Sequence, residues 1–428
     1  MNRFIYTTLL RLASPIIFKL LERKAQRAGG VWEIRSPERF GDYAAYISAD
    51  HMDVFQRPVW VHAVSLGETR AAQPLIQALL DQGLPVLLTH MTATGREMGA
   101  SFFKQYIVSG QLRQAWVPYD LPKAVTGFLN QWQPRCGILI EREVWPNLLA
   151  EAKTQEIPML MVSARFSEST LKQSRWMGRV LRDAFDSLTL ILAQTTEDEV
   201  RLRSYGLSQV KLAGNLKFDV TVVESLMEKA IHLKEQLQRP VVVIASTRDG
   251  EEAMFINAIS QMGQQAALYV VVPRHPQRFG EVSTLLDKST LAYLQRSQQP
   301  SIEALRQCQV LLGDSVGEMF FYYGLADVAI IGGSFADFGG QNNIEASAAG
   351  VPVMVGPHTA NFKQAVDDAI AAGATIRVND ATEAVKQAEQ LLNHAQEREA
   401  MRLAAKQWMS QHRGATERTM CYLQPFLQ

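Results

Sequence analysis

Residues 326–362 read ADVAIIGGSFADFGGQNNIEASAAGVPVMVGPHTANF. Two glycine pairs and a Gln-Asn-Asn run lie between one apolar strand signal, ADVAIIGGS, and a second, VPVMVGP. A connector between strands needs neither the length nor the glycine. Glycine serves where a backbone turns through positive φ or lies flat against a ligand, so the stretch reads as strand, binding loop, short helix ended by Gly350, strand. Asn342 and Glu345 frame the first turn of that helix, where exposed N–H groups suit a phosphate and a carboxylate suits ribose hydroxyls.

The same grammar extends outward. PVVVIAST, ALYVVVPR and VLLGDS precede the loop, and PVWVHAVSL, PVLLTHM, CGILIEREVW and PMLMVSAR fill the first half, each followed by a helical signal. Continuous apolar strands separated by helices predict parallel sheets covered on both faces. The pattern breaks into a charged helical run at 222–238, so the expected organisation is an N-terminal segment 1–30, a first Rossmann-like domain 31–220, a linker 221–238, a second domain 239–405, and a C-terminal helix 406–428 crossing back to the first. Two doubly wound domains facing each other would place ligands at the carboxyl ends of both sheets.

Composition narrows the chemistry. The chain has 428 residues, 47% of them hydrophobic, with 43 basic and 43 acidic side chains. No global field therefore draws it to nucleic acid. The three cysteines lie far apart without a CxxC pair, which suits a reducing, cytosolic compartment and gives no zinc signature. Residues 4–21, FIYTTLLRLASPIIFKLL, approach the length of a membrane span but are interrupted by Arg11, Lys19 and Ser14-Pro15. The first thirty residues carry six basic side chains (Arg3, Arg11, Lys19, Arg23, Lys24, Arg27) and one acid, Glu22, a bias toward anionic headgroups. The alternative is an amphipathic helix packed on the protein's own core.

Candidate reactive groups follow the strands. Glu68, in HAVSLGE, sits where a helix begins; the helix dipole is expected to hold it ionised as a general base, or else it only caps the helix. Ser65 lacks the first glycine of a nucleophile elbow. Glu141 and Glu143, in EREVWPN, share a face if the strand persists, and then need a cation, either Arg142 or Lys217. Arg274, after YVVVP, suits two-point binding of a phosphate or carboxylate. Ser315 and Glu318 fit either a capping box or a ligand contact. Lys172, Arg175, Arg179 and Arg182 recur at helical spacing beside Trp176, Met177, Val180 and Leu181, a basic stripe suited to lipid phosphates or simply a solvated face. GxxxxGK[ST], GxGxxG and Asp-x-Asp are absent, which leaves a nucleotide site without a metal motif.

With these motifs in order, the chain resembles the 3-deoxy-D-manno-octulosonic acid (Kdo) transferase family of lipopolysaccharide synthesis. The likeness runs through SPERFG, VWVHAVSLGE, TATG, VPYDLP, EREVWPN, SARFSE, GNLKFD, VPRHPQRF, GDSVGE and GGQNNIEASAAGVPVMVGPHTANF. The resemblance implies a GT-B fold of two facing Rossmann-like domains and inverting transfer of Kdo from CMP-Kdo to a lipid A precursor, without a bound metal or other cofactor, at the cytoplasmic face of the inner membrane. It places the general base on Glu68 and further polar groups near the transferred sugar on Glu141 and Lys217. The CMP contacts fall on Pro273 and Arg274, on Val316, Gly317 and Glu318, and on Asn342, Asn343, Ile344 and Glu345. Acceptor contacts are expected from Ser65, Gly67, Thr94, Arg142, Arg175 and Arg179. Many relatives have Thr where this chain has Arg142, and His-Asn-Pro where it has Gln341-Asn342-Asn343; neither departure removes a proposed functional group, and Arg142 bears on acceptor choice. Rival readings are a UDP-sugar transferase or epimerase of the same fold, and a membrane-tethered nucleotide-sugar binder without catalysis.

Overall fold

The structure, a computed structural model, describes residues 1–28, 30–44, 55–263 and 266–428, with the side chains of residues 27, 28, 169, 173 and 175 outside the description. The chain divides into two compact units, Met1–Asp219 with His412–Gln428, and Val220–Gln411.

The first unit is built on seven parallel strands: β1 (Val59–His62), β2 (Val86–His90), β3 (Leu112–Trp116), β4 (Cys136–Ile140), β5 (Met159–Ala164), β6 (Leu190–Ala193) and β7 (Val210–Leu212). Their spatial order is β3-β2-β1-β4-β5-β6-β7. β1, β2, β4 and β5 are buried at every residue, which explains why their sequences show unbroken apolar runs rather than alternation. Helix α2 (Leu66–Asp81) closes one face: Leu75, Ile76 and Leu79 recur at helical spacing and pack with Val59, Val61, Val86 and Leu88. Trp60, Leu87, Phe128 and Leu139 fill the other face. Truncating a fully buried residue such as Leu79 to Ala costs about 2–5 kcal/mol, transfer and cavity terms together.

The second unit repeats the plan with β8 (Val241–Thr247), β9 (Leu268–Pro273), β10 (Tyr293–Gln295), β11 (Val310–Leu312), β12 (Val328–Ile331), β13 (Val353–Val355) and β14 (Thr375–Arg377), in the order β10-β11-β9-β8-β12-β13-β14. In both sheets the strand order reverses beside the first strand, between β1 and β4 and between β8 and β12. A doubly wound sheet opens a crevice there, outside the carboxyl ends of the strands.

The helical run within 221–238 belongs to the second unit rather than to a separate linker. Residues Glu224–Leu237 form a helix of the second unit, with Ala230 and Leu237 fully packed, because its apolar side packs beneath the helix Met319–Leu325. At the carboxyl end, helix Ala395–His412 stays with the second unit to Gln411, and helix Ala415–Leu423 belongs to the first. The return is fastened by Asp219, whose carboxylate accepts from the N–H groups of Gly414 (2.7 Å) and Thr416. Phe218 stacks on His412 at 4.6 Å between ring centroids.

Helix α1 (Arg3–Ala28) is long and apolar enough to cross a membrane by length and composition, its most apolar 18-residue window having mean hydropathy 1.5 with 6% of it buried. It is also two-faced. One side docks on the first unit: Tyr6 Oη donates to Asp120 at 2.9 Å, Thr7 Oγ1 to Asn147 at 2.9 Å, and Phe18 packs with Trp32, Ile34, Ala93 and Tyr119. The other side exposes Ile5, Leu9, Leu12, Ile16 and Leu20 at helical spacing.

Candidate active site

The first crevice lies between the ends of β1 and β4. After β1 the chain turns into α2 with Ser65 as N-cap, and Glu68 completes a capping box. Ser65 N donates to Glu68 Oε2 at 2.7 Å, and Ser65 Oγ to the same oxygen at 3.1 Å. The capping reading is therefore satisfied by one carboxylate oxygen, and among the described residues the other, Oε1, accepts no hydrogen bond. The expectation that the helix dipole keeps Glu68 fully ionised is overturned. Burial, then the negative charges of Glu141 and Glu143, push its carboxyl up from 4.5 to about 7, against a smaller lowering by the Ser65 hydrogen bonds. A carboxylate poised near neutrality both accepts a proton and returns it, which is the property a general base requires.

Glu141 and Glu143 do reach this crevice, by a route other than the one expected. β4 ends at Ile140, and Glu141 adopts φ +66, so the strand does not persist and the shared-face argument fails. A non-glycine residue in the left-handed region costs of order 1 kcal/mol or more and persists only where the surroundings hold it. Here Glu141 N donates to Val162 O and Glu141 O accepts from Arg165 N. Its side chain meets Lys217 Nζ at 2.5 Å, with the two side chains 12% and 24% exposed, so Lys217 is the cation. Lys217 is placed by the one-turn helix Leu216–Phe218, whose N-cap Asn215 also accepts from Ser163 Oγ at 3.3 Å. Arg142 projects outward. Glu143 accepts from Trp145 Nε1 at 2.7 Å, and burial pushes its carboxyl up.

Two histidines beneath the crevice escaped the sequence reading. His62 ends β1 and His90 ends β2, both fully buried, and burial lowers them to about 4 and about 3. They are neutral at physiological pH, and His62 Nε2 has no hydrogen-bond partner among the described residues. Thr92 Oγ1 donates to Val64 O at 3.1 Å, tying the turn that precedes helix α3 (Ala93–Phe102) to the Glu68 turn. Gly67 and Thr94 are exposed on these two turns and Ser65 is half-buried.

The basic stripe does not form as expected. One helix runs Glu168–Met177, breaks at Gly178 with φ +64, and a second begins at Arg179. Arg179 pairs with Asp183 at 3.5 Å, and Arg182 is occupied by Asp186 and by the carbonyls of Tyr205 and Gly206. The Arg175 side chain lies outside the described residues. Trp176, 84% exposed, is the large apolar group left at that surface.

In the second unit the expected nucleotide contacts gather at strand ends. Pro273 closes β9, and Arg274 N donates to Thr247 O at 2.9 Å, joining the ends of β9 and β8. Val316 and Gly317, the latter at φ +84, are exposed after β11. Ser315 does not cap a helix: its Oγ donates to Glu318 Oε2 at 2.6 Å, but the helix starts only at Met319 with Glu318 as N-cap. Glu318 is instead an ion-pair partner of Arg296 at 3.2 Å. The 332–343 loop ends in Asn342, whose Oδ1 accepts from Ile344 N at 3.0 Å, and in Asn343, fully buried with neither carboxamide atom partnered among the described residues. Ile344 and Glu345 are buried in the short helix Ile344–Ala348. An unpaired buried carboxamide costs about 1–3 kcal/mol, so Asn343 is held against a penalty that a bound polar group would remove.

One residue that anchors this loop went unremarked in the sequence, although TRDGEE follows a strand directly. Glu251, 0% exposed, accepts from the N–H groups of Arg248 (2.8 Å), Gly333 (2.6 Å), Phe335 (2.8 Å) and Ala336 (3.2 Å). One carboxylate thus locks the loop after β12 to the turn after β8. Gly332 has to be glycine here, since a Cβ would stand 2.7 Å from Thr247 Cα. Among the described residues no three His, Cys, Asp or Glu side chains converge as a metal cluster.

Comparison with known proteins follows the same lines. The family model for 3-deoxy-D-manno-octulosonic-acid transferase (kdotransferase) matches residues 35–220, and that for glycosyl transferases group 1 matches 295–408. A 3-deoxy-D-manno-octulosonic acid transferase of Bordetella pertussis is 52% identical, the alignment covering 100% of both chains; one of Haemophilus influenzae is 32% identical over 100% of this chain and 99% of its own. The fold recurs at lower identity in a UDP-GlcNAc 2-epimerase of Neisseria meningitidis (15% identity, TM-score 0.54, covering 86% of this chain and 99% of that one). It recurs also in a glycosyltransferase of Rickettsia africae (12% identity, TM-score 0.55, covering 86% and 98%). Two parallel seven-stranded sheets, carboxylates poised at the first switch point, and end-to-end identity above half with a curated relative lead to one conclusion: this chain belongs to the 3-deoxy-D-manno-octulosonic acid transferase family.

Proposed function

We propose that the protein transfers Kdo from CMP-Kdo to a sugar hydroxyl of a lipid A precursor, with inversion, and that Glu68 is the base. The observation that carries this reading is the Glu68 carboxylate near pKa 7, with one oxygen engaged by Ser65 and the other available to a hydroxyl. The hydroxyl loses its proton to Glu68 as its oxygen attacks the anomeric carbon, and the bond from that carbon to the phosphate oxygen of CMP breaks. Glu141, neutralised by Lys217, orients the transferred sugar. Arg274 and the backbone N–H groups around Gly317 and Asn342 receive the departing phosphate, the fixed electrostatic stabilisation that lowers such barriers by several kcal/mol. The Asn343 carboxamide pairs with the cytidylate. Ser65, Gly67, Thr94 and Arg142 surround the acceptor.

The acceptor is a lipid, and α1 suits its delivery. The inward side of α1 is tied to Asp120 and Asn147, and its outward stripe has no protein partner among the described residues. We read it as lying along the cytoplasmic surface of the inner membrane, with Arg3, Arg11 and Lys19 toward headgroups. Incubation with CMP-Kdo and a lipid A precursor, followed by mass spectrometry of the lipid, tests the function and counts the sugars added. Retained turnover by Glu68→Gln moves the base elsewhere, and tighter binding of UDP than of CMP supports the UDP-sugar alternative.

A further inference from the structure

The second switch point holds a cation that the proposed reaction has not used. Arg248 follows β8 directly, half-exposed at the carboxyl end of the sheet. It is held from three sides. Nη1 donates to His275 Nε2 at 2.8 Å, the guanidinium carbon lies 4.7 Å from the centre of the Phe338 ring, and the backbone N–H is fixed by Glu251. Phe338 itself rides on the loop that Glu251 locks through Gly333, Phe335 and Ala336. Both the stacking platform and the turn bearing Arg248 are therefore set before any ligand arrives, the preorganisation that makes a binding group effective.

Its charge is uncompensated. The neighbouring Arg278 meets three carboxylates, those of Asp249, Glu252 and Glu281, at 2.8–3.1 Å. Among the described residues Arg248 has no carboxylate within ion-pair distance, only an imidazole and a phenyl ring. Desolvation and the charges of Arg248, Arg274 and Arg278 lower His275, so its Nε2 stays a lone-pair acceptor for Arg248. The remaining edge of the guanidinium is a two-donor fork of the shape that a carboxylate fits.

We infer that Arg248 is a specificity residue that binds the carboxylate of the donor's ulosonic acid, beside the phosphate at Arg274. This rests on the donor being the CMP ester of such a sugar, as proposed above. In that donor the anomeric carbon bears both the phosphodiester and the carboxylate, two anions a few ångströms apart. Arg248 and Arg274 follow the adjacent strands β8 and β9, whose ends are joined by the Arg274 N to Thr247 O hydrogen bond. Neighbouring strands are spaced about 4.8 Å, a separation that matches the two anions. A nucleotide sugar without a carboxylate would leave Arg248 unpaired.

The experiment separates the two anions. CMP carries the phosphate without the carboxylate, so Arg248→Ala is expected to raise the KM for CMP-Kdo by about 10- to 100-fold, the range for loss of a charge-assisted contact. Inhibition by CMP should change less than about 3-fold, and Arg248→Lys should fall between. Both variants should keep the wild-type Tm, since the side chain is half-exposed. A parallel loss of CMP affinity would reassign Arg248 to the nucleotide, and an unchanged KM for CMP-Kdo would remove it from the site; either overturns the inference. Failure of the wild-type protein to use CMP-Kdo at all would instead overturn the proposed function.

Discussion

Glu68→Gln should inactivate the enzyme and stabilise the fold, the second effect growing as pH rises above about 4.5 and complete above about 7. The carboxyl is raised in the folded protein from 4.5 to about 7. Such a group favours folding fully below the unfolded value, and that contribution is lost as pH rises through the folded value. Moving the carboxyl from 4.5 to about 7 corresponds to about 3 kcal/mol; because Glu68 is only partly buried, solvent screening leaves about 1–2 kcal/mol. Gln is isosteric and its carbonyl still accepts from Ser65 N, so the cap survives while the ionisation penalty disappears. For a unit of this size about 2–4 °C accompanies each kcal/mol. The Tm of the variant should match wild type at pH 4.5 and exceed it by about 3–6 °C at pH 8. Wild-type kcat/KM should rise with pH through about 7, and the variant should lose at least about 10²-fold at pH 8. Thermal melts from pH 4.5 to 8.5 beside initial-rate assays decide the matter. Parallel Tm curves for the two proteins would refute the raised carboxyl, and undiminished turnover would refute its role.

Lys217→Met leaves Glu141 without its cation and should cost about 2–3 kcal/mol in urea unfolding, less than a fully buried pair because both side chains retain some exposure; Lys217→Met with Glu141→Gln should recover most of it, and no recovery would mean the pair is not the source. Asn343→Leu replaces an unpaired buried carboxamide by an apolar group of similar size. Its Tm should hold or rise while CMP affinity falls at least about 10-fold by calorimetry, and unchanged affinity would separate Asn343 from the nucleotide. Leu9→Gln, Leu12→Gln and Ile16→Gln together, on the exposed stripe of α1, should shift the protein from the membrane to the soluble fraction at unchanged Tm. Persistent membrane association would place the contact elsewhere.

What the sequence determined by itself is what short-range chemistry encodes. Buried parallel strands must be apolar at every residue, so VWVH, VLLTH, CGILI and VVVIAST announced themselves and the two sheets were legible. Residues that follow strands directly, such as Glu68, Arg274 and the 332–343 loop, were legible as site candidates because open α/β sheets bind ligands at that edge. The helix at Glu224–Leu237 was legible as a charged helical run, but its place in the second unit was not, because its charged outer face resembles a linker until the partner helix covering its apolar side is known.

The tertiary structure decided how those candidates act. Glu68 is raised rather than held down first because folding buries it and then because Glu141 and Glu143, more than seventy residues away in the chain, converge on it, and the convergence uses a left-handed turn at Glu141 that strand periodicity does not foresee. Lys217 rather than Arg142 is the cation because the turn after β7 brings it to Glu141. Spacing alone made one helix of residues 172–182, and Gly178 breaks it. Glu251 shows the same division of labour: an acid after a strand is plain in the sequence, but only the fold sets Gly333, Phe335 and Ala336 around it. A side chain's identity is local, whereas its charge state and partners depend on groups that folding brings together.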